Sequence, residues 1–153
     1  MAFYDSVCFE PESSIGYQVK RVHQAMLFAL EPVFAAEGVS HVQWSVLVSL
    51  HYERGRTCAE LARDLAHDKG AMTRLIDMME QKGWVTRERD TTDRRNVFLS
   101  LTDEGEALAQ HVRDRVAQCW NEWLGDRPVA EVQRLIDDLA WLRGRIEGAT
   151  PCT

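Results

Sequence analysis

The sequence predicts a mainly α-helical protein with one small β-hairpin. Over most of its 153 residues, apolar side chains recur at steps of three and four, as they do along one side of a helix. Two short segments, 84–89 and 97–101, are instead rich in β-branched and aromatic residues and alternate with polar ones, which is typical of strands. Between them lies the charged loop Asp90-Thr91-Thr92-Asp93-Arg94-Arg95. This order predicts a hairpin inserted among helices.

The first two helices are delimited by capping residues. We expect the first to begin near Ser13 or Ser14, to kink at Pro32 and to end at Gly38. Ser40 then opens a second helix that closes near Arg54-Gly55. The two predicted apolar stripes are Ile15, Val19, Val22, Met26, Ala29 or Leu30 and Val33, then Val42 or Gln43, Val46, Leu47 and Leu50.

Two shorter helices follow and lead into the hairpin. Thr57 and Glu60 have the spacing of a capping box, which predicts the start of a third helix. The fourth is expected over about Lys69 to Lys82, with Gly83 as its stop. Its predicted buried side is Met72, Leu75, Ile76 and Met79, and its predicted outer side is Gly70, Thr73, Arg74, Asp77 and Gln81.

The last third of the chain predicts two long amphipathic helices. Thr102, followed by Asp103 and Glu104, is a strong helix start, and Gly125 with Pro128 separates the two helices. Such stripes are too long to be buried against a domain of about 50 residues, so we expect a second copy related by a two-fold axis. The stripes are Leu108, Val112, Val116, Cys119 and Trp123, then Val129, Val132, Leu135 or Ile136, Leu139, Leu142 and Ile146.

Composition limits the class of protein. The apolar fraction of 45% is enough for a core, and there is neither a long apolar run nor a signal-peptide pattern, so we expect a cytoplasmic protein with no membrane partner. The four cysteines contain no Cys-x-x-Cys pair, which predicts reduced thiols and no zinc site. We expect no cofactor and no metal.

The charge distribution favours a nucleic-acid partner despite a net charge of −6. Residues 54–101 carry 10 basic and 8 acidic side chains, whereas the remainder carries 8 basic and 16 acidic ones. Two short helices followed by a basic hairpin supply a rod for the DNA major groove and a loop for the minor groove. We interpret the segment as a winged helix-turn-helix that binds double-stranded DNA.

Several stretches of the chain together closely resemble the MarR family of transcriptional regulators. The resemblance covers nearly the whole chain outside its first dozen residues. It implies homodimers in which the first, fifth and sixth helices dimerise, and winged helices that occupy consecutive major grooves of a palindromic operator, with repression as the expected outcome. The matching stretches are Gly38-Val39-Ser40, Gln43-Trp44-x-Val46-Leu47, Ala59-Glu60-Leu61-Ala62, Asp68-Lys69-x-x-Met72-Thr73-Arg74-Leu75-Ile76-Asp77, Lys82-Gly83-Trp84-Val85, Asp93-Arg94-Arg95 and Leu99-Ser100-Leu101-Thr102-x-x-Gly105.

The resemblance divides the chain into an N-terminal arm and dimerisation helix (1–38), the winged helix-turn-helix domain (39–101) and C-terminal dimerisation helices (102–153). It matches the minor-groove arginine to Arg94, supported by Asp93 and Arg95. An inserted guanidinium is attracted by the negative potential of a narrow minor groove. The complete set of predicted DNA-binding residues is Lys69, Gly70, Ala71, Thr73, Arg74, Asp93, Arg94 and Arg95.

Three features of the fourth helix qualify this assignment. Arg74 has an alternative role as an intrahelical partner of Asp77. Gly70-Ala71 stands where the family often has small hydroxyl residues, so two possible hydrogen bonds to DNA are absent. Asp77 and Glu80 would repel phosphates if they pointed at the DNA backbone.

The resemblance also implies a small aromatic acid or phenol as effector, bound between the dimerisation helices and the winged domain. Arg21 is suited to a carboxylate and His23 to a phenolic hydroxyl, while aromatic and thioether groups supply apolar walls. Met26 and Trp44 have the alternative role of core residues. The complete candidate set is Tyr17, Arg21, His23, Met26, His41 and Trp44.

Other functions receive less support from the residues. Five histidines without metal-ligand spacing, and the lack of any recognised catalytic motif, argue against an enzyme. A redox switch at Cys8 is an alternative, although Glu10 and Glu12 nearby would raise the thiol pKa. A winged helix that binds protein instead of DNA is a second alternative, and the Arg94-Arg95 pair argues against it.

Overall fold

A computed structural model describes Tyr4, residues 10–89 and residues 97–149. These residues confirm the predicted fold class, with helices in the expected order and two antiparallel strands in which Val85 lies opposite Leu101 and Arg89 opposite Val97. After a single 3₁₀ turn, Pro11–Ser13, the elements are α1 (Ile15–Ala36), α2 (His41–His51), α3 (Cys58–Asp64), α4 (Lys69–Gln81), β1 (Val85–Arg89), β2 (Val97–Leu101), α5 (Asp103–Leu124) and α6 (Val129–Glu147).

Side-chain caps fix the starts of the first three helices. Ser14, one of the two predicted candidates, accepts a hydrogen bond from the Tyr17 amide and begins α1. Ser40 begins α2 with Gln43 as its reciprocal partner, and Thr57 with Glu60 forms the predicted capping box of α3. Pro32 lies inside α1, and the helix continues past it to Ala36. The helix boundaries were therefore encoded mainly by local polar residues.

The core brings the inner sides of α1 to α5 together with the hairpin. Leu75, which the periodicity placed among the buried residues of α4, is only half-buried, because it lies at the edge of the apolar stripe. With its inner side held in this core, α4 presents its opposite side to solvent. The most completely buried side chains are Phe34, Val46, Leu47, Leu61, Met72, Ile76, Met79, Val85 and Val112.

The chain divides into two compact units, residues 1–116 and 117–153. The first contains the predicted winged domain. In the second, Trp120 and Trp123 meet edge to face with their ring centroids 5.2 Å apart. None of the residues of α6, all of which the structure describes, is buried. The functional division at residues 38 and 101 concerns dimerisation and DNA binding, and it stays a prediction.

No helix in the described ranges is, taken alone, both long and apolar enough to cross a bilayer. Only α1 and α2 taken together are long and apolar enough for a membrane span, and the chain bends by 83° between them. Core helices have the same composition, and Val46, Leu47 and Leu50 of α2 are buried among other protein residues.

One tight junction joins α4, the hairpin and α5. Gly83 ends α4 with a φ of +75°, a conformation that favours glycine. The amide of Thr102 donates to the Trp84 carbonyl at 3.1 Å, and the Thr102 hydroxyl accepts from the Gly105 amide at 3.0 Å. A Cβ on Gly105 would lie 2.0 Å from the Trp84 carbonyl oxygen. Only glycine therefore lets the first turn of α5 approach the start of β1 this closely.

Replacing Gly105 by alanine should destabilise the protein by about 1–3 kcal/mol or more, because the backbone must move to relieve the contact. Urea unfolding followed by circular dichroism measures this change. The matched control is Gly144→Ala in α6, where the added methyl group meets no atom within 4 Å. That control should stabilise by about 0.5–1 kcal/mol. Equal stability changes in the two variants would contradict the packing argument.

Candidate nucleic-acid interface

The start of α4 is organised by Asp68. Its carboxylate Oδ1 accepts a hydrogen bond from the Ala71 amide at 2.9 Å, and Lys69 and Gly70 are exposed in the first turn. A Cβ on Gly70 would lie 3.2 Å from that carboxylate oxygen. Gly70 thus leaves room for the capping side chain, which gives a local physical reason for the departure from the family pattern at this position.

The outer side of α4 carries exposed polar groups, as predicted. Thr73 donates its hydroxyl to the Lys69 carbonyl at 2.9 Å, and Cys58 Sγ lies 3.5 Å from the same hydroxyl. Arg74 is exposed and forms no hydrogen bond or ion pair with the residues that the structure describes. Its guanidinium donors are therefore available for a ligand.

Arg87 of β1, which the sequence interpretation did not single out, binds both acidic residues of α4. Its Nη2 donates to Asp77 Oδ1 and its Nη1 to Glu80 Oε2, each at 2.6 Å. The alternative pairing of Arg74 with Asp77 is not formed among the described residues, where Asp77 Oδ1 binds Arg87 instead. Burial alone would lower the pKa of Arg87, but the hydrogen bond to Asp77 and the charges of both carboxylates raise it overall.

The predicted wing residues Asp93, Arg94 and Arg95 lie outside the described residues, which resume at Val97. The described residues on either side, Arg89 of β1 and Val97 of β2, are paired with one another. The assignment of Arg94 to the minor groove stays a prediction.

Three of the six candidate ligand residues lie near one another. The rings of His23 in α1 and His41 in α2 have centroids 6.2 Å apart. Phe34, which the sequence interpretation missed, links this pair to Trp44, with centroid distances of 6.3 Å to His41 and 6.4 Å to Trp44. Phe34 was not in the predicted apolar stripe of the first helix, although the structure buries it beside Val33 in the sequence.

Tyr17 and Arg21 do not join this group within one protomer. At 3.6 residues per turn, Arg21 and His23 project about 160° apart around the axis of α1. Tyr17 precedes Arg21 by one turn and lies on the same side of the helix. Met26 is half-buried and lies on the His23 side. The six candidates therefore form two separate groups on opposite sides of α1.

The surroundings of His41 favour its uncharged form. Burial lowers its pKa from 6.5, and the nearby His23 and His67 lower it further, while Glu31 acts in the opposite direction. A neutral imidazole both donates and accepts a hydrogen bond. The ring is thus better suited to a phenolic hydroxyl than to pairing with a carboxylate.

The described residues contain no group of three or more histidine, cysteine, aspartate or glutamate side chains placed to hold a metal ion. Cys58 and Cys119 are free thiols and half-buried. Cys8 and Cys152 lie outside the described ranges, so the redox alternative at Cys8 stays untested.

Comparison with known proteins identifies the family. A profile described as MarR family matches residues 39–97. The multiple antibiotic resistance protein MarR of Escherichia coli K12 is 31% identical over 104 residues, which are 68% of this chain and 72% of that protein.

Two solved structures show the same fold along most of the chain. CouR from Rhodococcus jostii RHA1, bound to p-coumaroyl-CoA, has a TM-score of 0.75 and 26% identity and covers 95% of this chain and 99% of its own. A cysteine-to-serine mutant of E. coli MarR complexed with operator DNA has a TM-score of 0.73 and 28% identity and covers 88% and 97%. The chain therefore belongs to the MarR family of winged-helix transcriptional regulators.

Proposed function

We propose that this protein is a homodimeric repressor that binds a palindromic operator in double-stranded DNA and is released by a small aromatic acid or phenol. The observation that carries the proposal is the outer side of α4, where Lys69, Thr73 and Arg74 are exposed and the Arg74 guanidinium has no partner among the described residues. An exposed basic helix next to a basic hairpin has the shape and charge for adjacent DNA grooves.

Dimerisation is supported by apolar side chains that remain exposed on a single chain. In α1, Phe28 is 86% exposed and Val22 is 58% exposed. In α6, Trp141 is 67% exposed and Ile146 is 66% exposed. Large apolar side chains left exposed in this number are usually covered by a partner, and a second copy with two-fold symmetry is the simplest one.

The DNA complex follows from that symmetry. Two copies of α4 related by a two-fold axis must lie about 34–36 Å apart to enter successive major grooves on one face of the duplex. The relative MarR of E. coli was solved in a complex with operator DNA, which supports operator DNA as the partner. The location we infer is the cytoplasm, where such DNA is accessible.

The effector class is supported by the group of His23, His41 and Trp44 around Phe34. The half-buried ring of Trp44 offers apolar surface, and His41, also half-buried, offers one hydrogen bond to a phenolic hydroxyl. The relative CouR was solved with p-coumaroyl-CoA, which contains such a phenol. In the dimer, the two copies of α4 must have the right spacing to fit the operator. A ligand of this class releases DNA only if it binds more tightly to a form of the dimer in which that spacing is wrong.

The protein should bind DNA from upstream of its own gene with an affinity that falls steeply as salt increases, since phosphate contacts release counterions. Arg94→Ala should weaken binding by roughly 10-fold, because a minor-groove guanidinium is lost. Fluorescence anisotropy over a salt series measures both effects, with Arg143→Ala on α6 as a control that keeps wild-type affinity. If wild-type protein bound specific and random DNA equally, the regulator assignment would fail in favour of a protein-binding winged helix.

Hydroxylated benzoates and cinnamates, and their coenzyme A thioesters, should include a compound that releases the bound DNA. His41→Phe should raise the concentration needed by roughly 5- to 10-fold, because one hydrogen bond is lost while the ring surface is kept. The matched control is Asp138→Ala in α6. Its release should match that of the wild type. The absence of release by every compound at millimolar concentration would contradict the effector class.

A further inference from the structure

Arg87 is placed where the hairpin meets the recognition helix α4. Its two terminal nitrogens each bind a different carboxylate, Asp77 and Glu80, which are three residues apart on α4. The Arg87 side chain is 28% exposed, whereas those of Asp77 and Glu80 are 47% and 41% exposed. The two acids thus remain near the surface of the helix that would face DNA, with one guanidinium held between them.

The charges on α4 show why the binding of Asp77 and Glu80 by Arg87 matters. Within Lys69–Lys82 the helix carries three basic residues and two acidic ones, Asp77 and Glu80. Without a partner, both carboxylates would repel DNA phosphates and would offset most of the basic charge. The guanidinium of Arg87 shares its positive charge between them through short, charge-assisted hydrogen bonds.

The two ion pairs are not the only contacts between the hairpin and α4. The backbone already ties the elements together, with the Trp84 amide donating to the Met79 carbonyl and the Gly83 amide to the Glu80 carbonyl, each at 2.9 Å. Trp84 and Val85 are buried in the core. Isolated ion pairs between partly exposed side chains add little to folding stability, so whatever stability this three-residue network adds, we look for a further role of Arg87 at the surface of α4.

We propose that Arg87 is a positioning residue that masks Asp77 and Glu80 from the DNA backbone and so permits a recognition helix that carries two carboxylates to bind its operator. This inference rests on the proposed function. It differs from a direct contact, because Arg87 acts through the two carboxylates. Neutralising those carboxylates should therefore make Arg87 dispensable, which a direct phosphate contact would not predict, and thermal melting separates this role from a purely structural one.

The test compares operator affinity among four proteins by fluorescence anisotropy on DNA from upstream of the gene. Arg87→Met should weaken binding by roughly 10-fold, because two unmasked carboxylates face phosphates. Adding Asp77→Asn and Glu80→Gln to Arg87→Met should restore affinity to within about threefold of wild type. The double variant Asp77→Asn with Glu80→Gln, which keeps Arg87, should bind as tightly as wild type or more tightly.

The controls distinguish a misfolded variant from a failure of the masking role and from a failure of the repressor proposal. Circular dichroism and thermal melting report whether Arg87→Met is folded, and the double variant tests the proposal independently of that variant. Failure of the triple variant to recover, weaker binding by the double variant, or wild-type affinity of Arg87→Met would each overturn the masking role while leaving the repressor proposal intact. If wild-type protein bound no upstream DNA, the repressor proposal and this inference would both fall.

Discussion

The approach of Gly105 to the Trp84 carbonyl is the constraint on which the arrangement of α4 and the hairpin, the elements proposed to read DNA, depends. It holds the first turn of α5 against the start of the hairpin, and Gly83 ends α4 at the same place. Lys82 adds a third connection, since its ammonium lies 4.2 Å from the centre of the Trp84 ring and donates to the Gly38 carbonyl at 3.0 Å. Helix α4, the hairpin and the corner between α1 and α2 are thereby tied to the beginning of α5.

Electrostatics explains how a chain with a net charge of −6 is compatible with a DNA-binding surface. The acidic residues of α4 are bound by Arg87, and the acidic cap Asp68 is bound to the Ala71 amide. Arg74 remains free among the described residues. The paired acidic side chains still count in the net charge, but a DNA phosphate that approached α4 would meet the unpaired Arg74 instead. Net charge alone is a poor guide to the partner in such a protein.

Features determined by neighbouring residues could be predicted from the sequence, and contacts between distant elements could not. The capping residues Ser40 and Thr57 and the strands around the charged loop follow from local chemistry, and the structure confirms them. The bond from Arg87 to Asp77 links two elements, and no local pattern encodes their relative orientation. The same holds for Phe34, which joins His41 to Trp44 across α1 and α2. Arg94 was reached through the family resemblance, and its role awaits experiment.

Hydroxyl-radical footprinting of the operator, combined with the mass of the complex, tests the central claim that two symmetric copies of α4 read one face of the duplex. The account predicts two chains per operator and two protected tracts whose centres lie about 34–36 Å apart on the same face. A complex with a single chain, or protected tracts on opposite faces of the DNA, would contradict it.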